Sequence, residues 1–175
     1  MKRYIFSPVF SVILSLALAL TAFAQGSSFN DKNVEYTFDL PESTWKMTVK
    51  PSAAAPDVEY VYGDRMNGHL EIRKISVKAD ELLSDVISRD QEQKLQFRTG
   101  FVAGKEENFS GNFKGKVSNY EFVQSGKNMS GRLYYLKAND TTVYVLQFSG
   151  LRDQLRAIRN QVDSIARTFK IKANS

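Results

Sequence analysis

Apolar positions recur at every second residue over the first folded stretch of the chain. Val34, Tyr36, Phe38 and Leu40 alternate with Glu35, Thr37 and Asp39, and Trp45, Met47 and Val49 repeat the pattern after Pro41. Successive strand side chains point to opposite faces, so this period of two predicts two half-buried strands. Pro41 and Pro51 end them, because proline cannot donate to a ladder. Val58, Tyr60 and Tyr62 predict a third strand, and the Gly63–Gly68 connection, with Asn67-Gly68 inside it, predicts a hairpin turn. In the next strand, His69 to Val77, the phase changes: Leu70 and Ile72 share one parity, Ile75 and Val77 the other. A β-bulge near Arg73-Lys74 would reconcile the two.

Downstream the period lengthens. Asp80 is placed to N-cap a helix with Glu81 in its first turn and Leu82, Leu83, Val86 and Ile87 on its apolar face, up to Gly100. Residues 101–116 carry spaced glycines among Phe109, Phe113 and charges, and predict a loop with one short strand. Strands follow over Val117–Gln124, Arg132–Leu136 and Val143–Phe148, with a hairpin connection at Ser125-Gly126-Lys127-Asn128. The last strand is apolar on both parities, which places it in the middle of a sheet covered on both sides. Leu151, Leu155, Ile158, Val162, Ile165 and Phe169 then fall on one stripe at about 100° per residue, and predict a single long helix with a core-facing side.

Together these elements predict an α+β fold: an antiparallel sheet of about seven strands flanked by two main helices. Their order resembles the PsbP/Mog1-like fold family, shared by the photosystem II extrinsic protein PsbP, the Ran-binding protein Mog1 and related exported bacterial envelope proteins. The resemblance lies in Tyr36-Thr37-Phe38-Asp39-Leu40-Pro41 followed by Trp45, in Arg132-Leu133-Tyr134-Tyr135-Leu136, in Tyr144-Val145-Leu146-Gln147-Phe148, and in Ile165-Ala166-Arg167-Thr168-Phe169. It implies a sheet flanked by helices and a non-catalytic binding or assembly role. These are packing patterns, so the resemblance transfers no partner-binding or metal residue.

The first residues change the compartment. Lys2 and Arg3, the apolar run Val9–Leu20 and Ala22-Phe23-Ala24 have the form of a cleavable signal peptide over residues 1–24. The apolar run is shorter than the roughly 20 residues a membrane-spanning helix needs. A secreted or periplasmic protein is expected, with a flexible lead over 25–33, a single domain over 34–175 and no transmembrane segment after cleavage. The 175-residue chain has no cysteine, so no disulfide holds it and a hydrophobic core must. Its net charge of +5 includes Lys2 and Arg3, which leaves a mildly basic remainder and argues against nucleic acid as a partner.

Candidate chemistry is sparse. His69 is the only histidine, and on a strand it shares a face with Glu71 and Arg73. Two such ligands fall short of the three or more a metal site needs, so no metal and no cofactor is expected. No cysteine, nucleophile elbow, phosphate loop or zinc-protease motif is present, and no catalytic residues are assigned. Asp39, Glu42, Asp57, Glu59 and Asp64 are scattered acids from which a two-carboxylate hydrolase site would have to be drawn. Tyr60, Tyr62, Tyr134 and Tyr135 would either line an aromatic groove or pack in the core. Arg152, Arg156, Arg159 and Arg167 lie on one flank of the last helix, as a candidate partner-binding strip. Asp163, four residues from both Arg159 and Arg167, is placed to pair with either of them. The expectation is an exported, non-catalytic binding or assembly module of the cell envelope, with an unknown protein or envelope component as partner and no oligomeric state assigned. A small-molecule or lipid carrier is the alternative, and a two-carboxylate hydrolase a further one.

Overall fold

The computed structural model describes residues 26–173. The signal-peptide reading of residues 1–24 lies outside them. Ten strands and three helices follow in the order β1 (Ser27–Asn30), β2 (Tyr36–Leu40), β3 (Trp45–Val49), β4 (Val58–Tyr62), β5 (Asp64–Ser76), α1 (Leu83–Lys94), β6 (Val102–Ser110), β7 (Lys114–Gln124), β8 (Lys127–Asn139), β9 (Thr142–Leu151), α2 (Arg152–Ala157), α3 (Arg159–Thr168) and β10 (Lys170–Ile171). Seven of the strands form one antiparallel sheet in the order β3-β4-β5-β9-β8-β7-β6, and β1-β2-β10 form a second, smaller sheet. The fold is therefore α+β, with the seven-stranded antiparallel sheet at its centre. Among the described residues, no helix is long and apolar enough to cross a membrane.

The central sheet has a core on each face. On one, Tyr134, Leu146 and Phe148 meet β1, β2 and the α2–α3 segment through Phe29, Phe38, Val162, Ile165 and Phe169. On the other, Leu133, Tyr135, Val143 and Val145 meet Val86 and Ile87 of α1 and Leu95 just after it. β9 lies at the middle of the sheet, with every residue from Val143 to Phe148 buried, as its two apolar parities require. The helical stripe is a core face as well: Leu155, Ile158, Val162, Ile165 and Phe169 are all buried. Removing each such side chain from water contributes about 1.5–3 kcal/mol before the entropy of ordering it.

Several expectations are corrected. Residues 25–33, expected as a flexible lead, contain β1, which pairs with β2 and buries Phe29. The phase change in β5 needs no bulge at Arg73-Lys74, since β5 pairs with β9 without interruption from His69↔Ser149 to Ser76↔Thr142. Leu70 and Ile72 face one core, Ile75 and Val77 the other. The hairpin turn sits at Gly63, at φ +71°, where a side chain would be strained; Asn67 and Gly68 already belong to β5. The Ser125-Gly126 connection is a two-residue turn with both φ values positive, the geometry that matches the twist of a hairpin.

Asp80 does not cap α1, which begins at Leu83 with Leu82 at the N-cap. Glu81 instead accepts the Lys78 backbone N–H and an Arg89 hydrogen bond. Residues 101–116, expected as a loop with one short strand, hold the nine-residue edge strand β6 and the start of β7. The β6 residues Val102–Asn108 are exposed on both faces, so no alternation marks them in the sequence. The long C-terminal helix is two helices. Ile158 leaves the helical region at φ −96°, ψ 12°, and its carbonyl accepts the N–H groups of both Gln161 and Val162. Leu151 belongs to β9 and packs in the opposite core from the rest of its stripe.

Candidate functional site

Arg152, Arg156 and Arg159 are spaced i, i+4, i+7, which keeps them on one flank while Leu155, Ile158 and Val162 face the core. The break at Ile158 does not turn them apart. All three line one cleft of about 250 Å³ between the helices and the β7–β8 strands, with Asn119, Glu121 and Ser130 on its strand side. Arg132 forms the floor and is 7% exposed. Its position follows from the pleat: Ser130, Arg132 and Tyr134 are alternate residues of β8 and share the helix-facing side, where Arg132 is in register with Asn119 of β7.

The buried guanidinium is held by named partners. Arg132 Nε donates to Tyr134 Oη at 2.6 Å and to Asp163 Oδ1 at 3.0 Å, and Nη1 donates to Asn119 Oδ1 at 2.7 Å. Tyr134 donates its hydroxyl proton to Asp163. Burial opposes the Arg132 charge, yet Tyr134 and Asp163 outweigh it and raise the Arg132 pKa above its ordinary value. Burial, joined by the Asp163 hydrogen bond, raises the Tyr134 pKa, so the phenol stays neutral. The floor of the cleft is thus a fixed cation at any ordinary pH. Arg156 reaches Asp153 at 3.3 Å, both largely in water. Among the described residues, Arg152 and Arg159 have no acidic partner within 4 Å. Guanidinium groups at the floor and on the rim thus converge on one cleft, and this group type binds carboxylate or phosphate oxygens in two-bond fashion.

The fourth predicted residue lies apart. Arg167 sits over the Phe109 ring at 5.8 Å, beside the β6–β7 connection, where its backbone carbonyl accepts the Asn112 N–H. The predicted pairing of Asp163 with Arg159 or Arg167 is also corrected, because the strand residues Arg132 and Tyr134 take its carboxylate. Arg132 itself escaped the sequence reading of the site. Its signal was a charge opening a strand whose following residues are all apolar, a place where a cation must find partners in the interior.

The other candidates disperse. His69, Glu71 and Arg73 share a sheet face as their spacing predicts, but His69 pairs with Glu59 at 2.8 Å and Arg73 with Asp90. Among the described residues, no group of three potential ligands is placed to hold a metal. Glu42 accepts from Tyr62 and Gln161, Glu59 from Arg65 and His69, and Asp64 from the backbone of its own turn, so these acids serve separate contacts. The four tyrosines form no groove: Tyr134 and Tyr135 are fully buried on opposite faces of the sheet, and Tyr60 is buried with Phe29 and Phe38.

Comparison with known proteins adds the architecture's relatives. No protein-family model matches the chain, and no curated protein matches it in sequence. Among solved structures it is similar to the cyanobacterial PsbP (CyanoP) of Synechocystis, at TM-score 0.59 and 16% identity, over 88% of this chain and 96% of that one. It is also similar to LpqN of Mycobacterium tuberculosis, described as involved in cell envelope biogenesis, at TM-score 0.53 and 19% identity, over 85% and 91% of the two chains. A Pseudomonas aeruginosa protein of unknown function aligns at TM-score 0.52 and 12% identity, over 86% of this chain and 99% of that one. At these identities the likeness concerns the fold, and the chain has the PsbP/Mog1-like fold that its strand and helix order resembles.

Proposed function

We propose that this protein is an exported, non-catalytic, envelope-associated binding module whose α2–α3 cleft takes an acidic group of its partner. The carrying observation is the convergence of Arg152, Arg156 and Arg159 above the buried Arg132 in one cleft. Export rests on the signal-like residues 1–24, and the envelope setting is supported by the likeness to LpqN, described as involved in cell envelope biogenesis. Protein–protein and protein–anion contacts that depend on exposed arginines weaken as salt screens them over about 10 Å at 0.1 M ionic strength.

Capture from the host's envelope tests the reading. The immobilised protein is expected to retain a component at low salt and release it at high salt. An Arg152/Arg156/Arg159→Gln variant with unchanged circular dichroism is expected to retain none. Equal retention by the variant would remove the cleft from the interaction. The carrier reading is less favoured, since the space between sheet and helices is filled by Tyr134, Phe148, Val162, Ile165 and Phe169.

A further inference from the structure

The opposite face of the central sheet carries another recess, of about 330 Å³, beyond the C-terminal end of α1. Its floor is the central sheet. Glu59, Glu71 and Gln147 stand in register on three adjacent strands, with His69 and Ser149 in register beside them. Arg98, from the turn after α1, forms the wall. Strand positions of this kind are held rigidly, which suits recognition of a small molecule. The volume lies at the low end of small-molecule pockets.

The charges here are unevenly satisfied. Glu59 is paired with Arg65 and with His69. Glu71 faces Glu59 directly across the β4–β5 ladder, an arrangement of like charges that is unfavourable in itself. Among the described residues, its carboxylate has no cation within 4 Å. Arg98 stacks on the Phe122 ring at 4.6 Å, and its side chain has neither an acid nor a hydrogen-bond acceptor among the described residues. Gln147 is 7% exposed and donates Nε2 to Tyr120 Oη at 3.0 Å, which fixes the amide and leaves Oε1 as an acceptor. That contact depends on Gly131, since a Cβ there would lie 2.0 Å from the Tyr120 ring. An unpaired acid and an unpaired base thus line one polar recess, each lacking the partner the other's sign would supply.

We propose that this recess binds a free α-amino acid. The ammonium meets Glu71 with Gln147 Oε1 as a second acceptor, and the carboxylate meets the Arg98 guanidinium with the Ser149 hydroxyl beside it. The ligand carries no net charge, as the recess carries two acids and two arginines. A ligand with only one of the two charges leaves either Glu71 or Arg98 without a partner in a site it has just closed to water, which costs more than the contact it keeps.

The test is titration of the isotopically labelled full chain with the common α-amino acids, followed through the backbone amide shifts of Gly131, Gln147 and Ser149. At least one amino acid is expected to saturate these shifts with a dissociation constant below about 1 mM. Its decarboxylated amine and its deaminated acid are expected to bind at least about tenfold more weakly, or 1.4 kcal/mol. Glu71→Gln and Arg98→Gln should each weaken binding by a similar factor, whereas Arg156→Gln, on the other face, should leave it unchanged. No saturable shift with any amino acid up to about 10 mM would overturn the proposal. So would equal binding of the amine or the acid, which needs no variant to interpret.

Discussion

Tyr134 and Tyr135 are consecutive residues of one strand, and each ties a helix to an opposite face of the sheet in the same chemical way. Tyr135 donates to Asp90 of α1, which also receives both nitrogens of Arg73 at 2.7 and 2.6 Å. Tyr134 donates to Asp163 of α3, which also receives Arg132 Nε. The two anchors differ in closure. The Asp90 side chain is 8% exposed and its pair is bidentate; the Asp163 side chain is 24% exposed and receives one guanidinium bond. The α1 anchor is sealed and serves packing. The α3 anchor is left partly open, with Arg132 turned toward a cleft whose rim is three further arginines. One fold thus uses the same tyrosine–carboxylate–arginine unit on both faces of its sheet, with the carboxylate closed off at α1 and partly open to water at α3.

Removing the sealed anchor should cost most. Asp90→Ala leaves Arg73 charged and unpaired in the interior, and should destabilise the protein by about 3–5 kcal/mol in denaturant unfolding. Asp163→Ala should cost less, about 1–3 kcal/mol, because Arg132 keeps Asn119 and Tyr134 as hydrogen-bond acceptors. Equal losses at the two positions would break the comparison.

A third contrast lies at the far end of the α3-facing core, where Glu35 receives Lys74 at 2.6 Å and the Tyr144 hydroxyl. Burial works against the Glu35 charge, but these hydrogen bonds hold its carboxyl down at about 2. A folded pKa below the unfolded value near 4.3 means the stabilisation is complete above that value and is lost as pH falls toward 2. Lys74→Met should therefore flatten the fall in melting temperature between about pH 4.5 and 2, and leave the slope at neutral pH unchanged. The smallest effect is expected beside it. Among the described residues the buried Tyr36 hydroxyl has no hydrogen-bond partner, so Tyr36→Phe should leave stability unchanged or raise it by about 1 kcal/mol.

The sequence disclosed what one strand or one helix decides alone. β9 announced its central place by being apolar on both parities, and the stripe from Leu155 to Phe169 announced a core face. It misled where a residue's environment comes from distant strands. Ile75 and Val77 look out of phase because β5 changes the core it serves along its length, from the α3-facing core at Leu70 and Ile72 to the α1-facing core at Ile75 and Val77. The extent of β6 is hidden because its exposed residues carry no period. The break at Ile158 leaves the buried stripe continuous, so no sequence pattern marks it. The candidate cleft was half legible: Arg152, Arg156 and Arg159 share a helical flank by spacing alone. Arg132 joins them only through the β7–β8 register and its bonds to Tyr134 and Asp163. Glu71 and Arg98 line one recess from positions 27 residues apart, which no local pattern records.

The most direct measurement is amide hydrogen exchange of the protein with and without its captured envelope component. The account predicts added protection at residues 119–121, 130–132 and 152–159, with the α1 segment 83–94 unchanged. Added protection over α1, with the α2–α3 cleft unaltered, would contradict it.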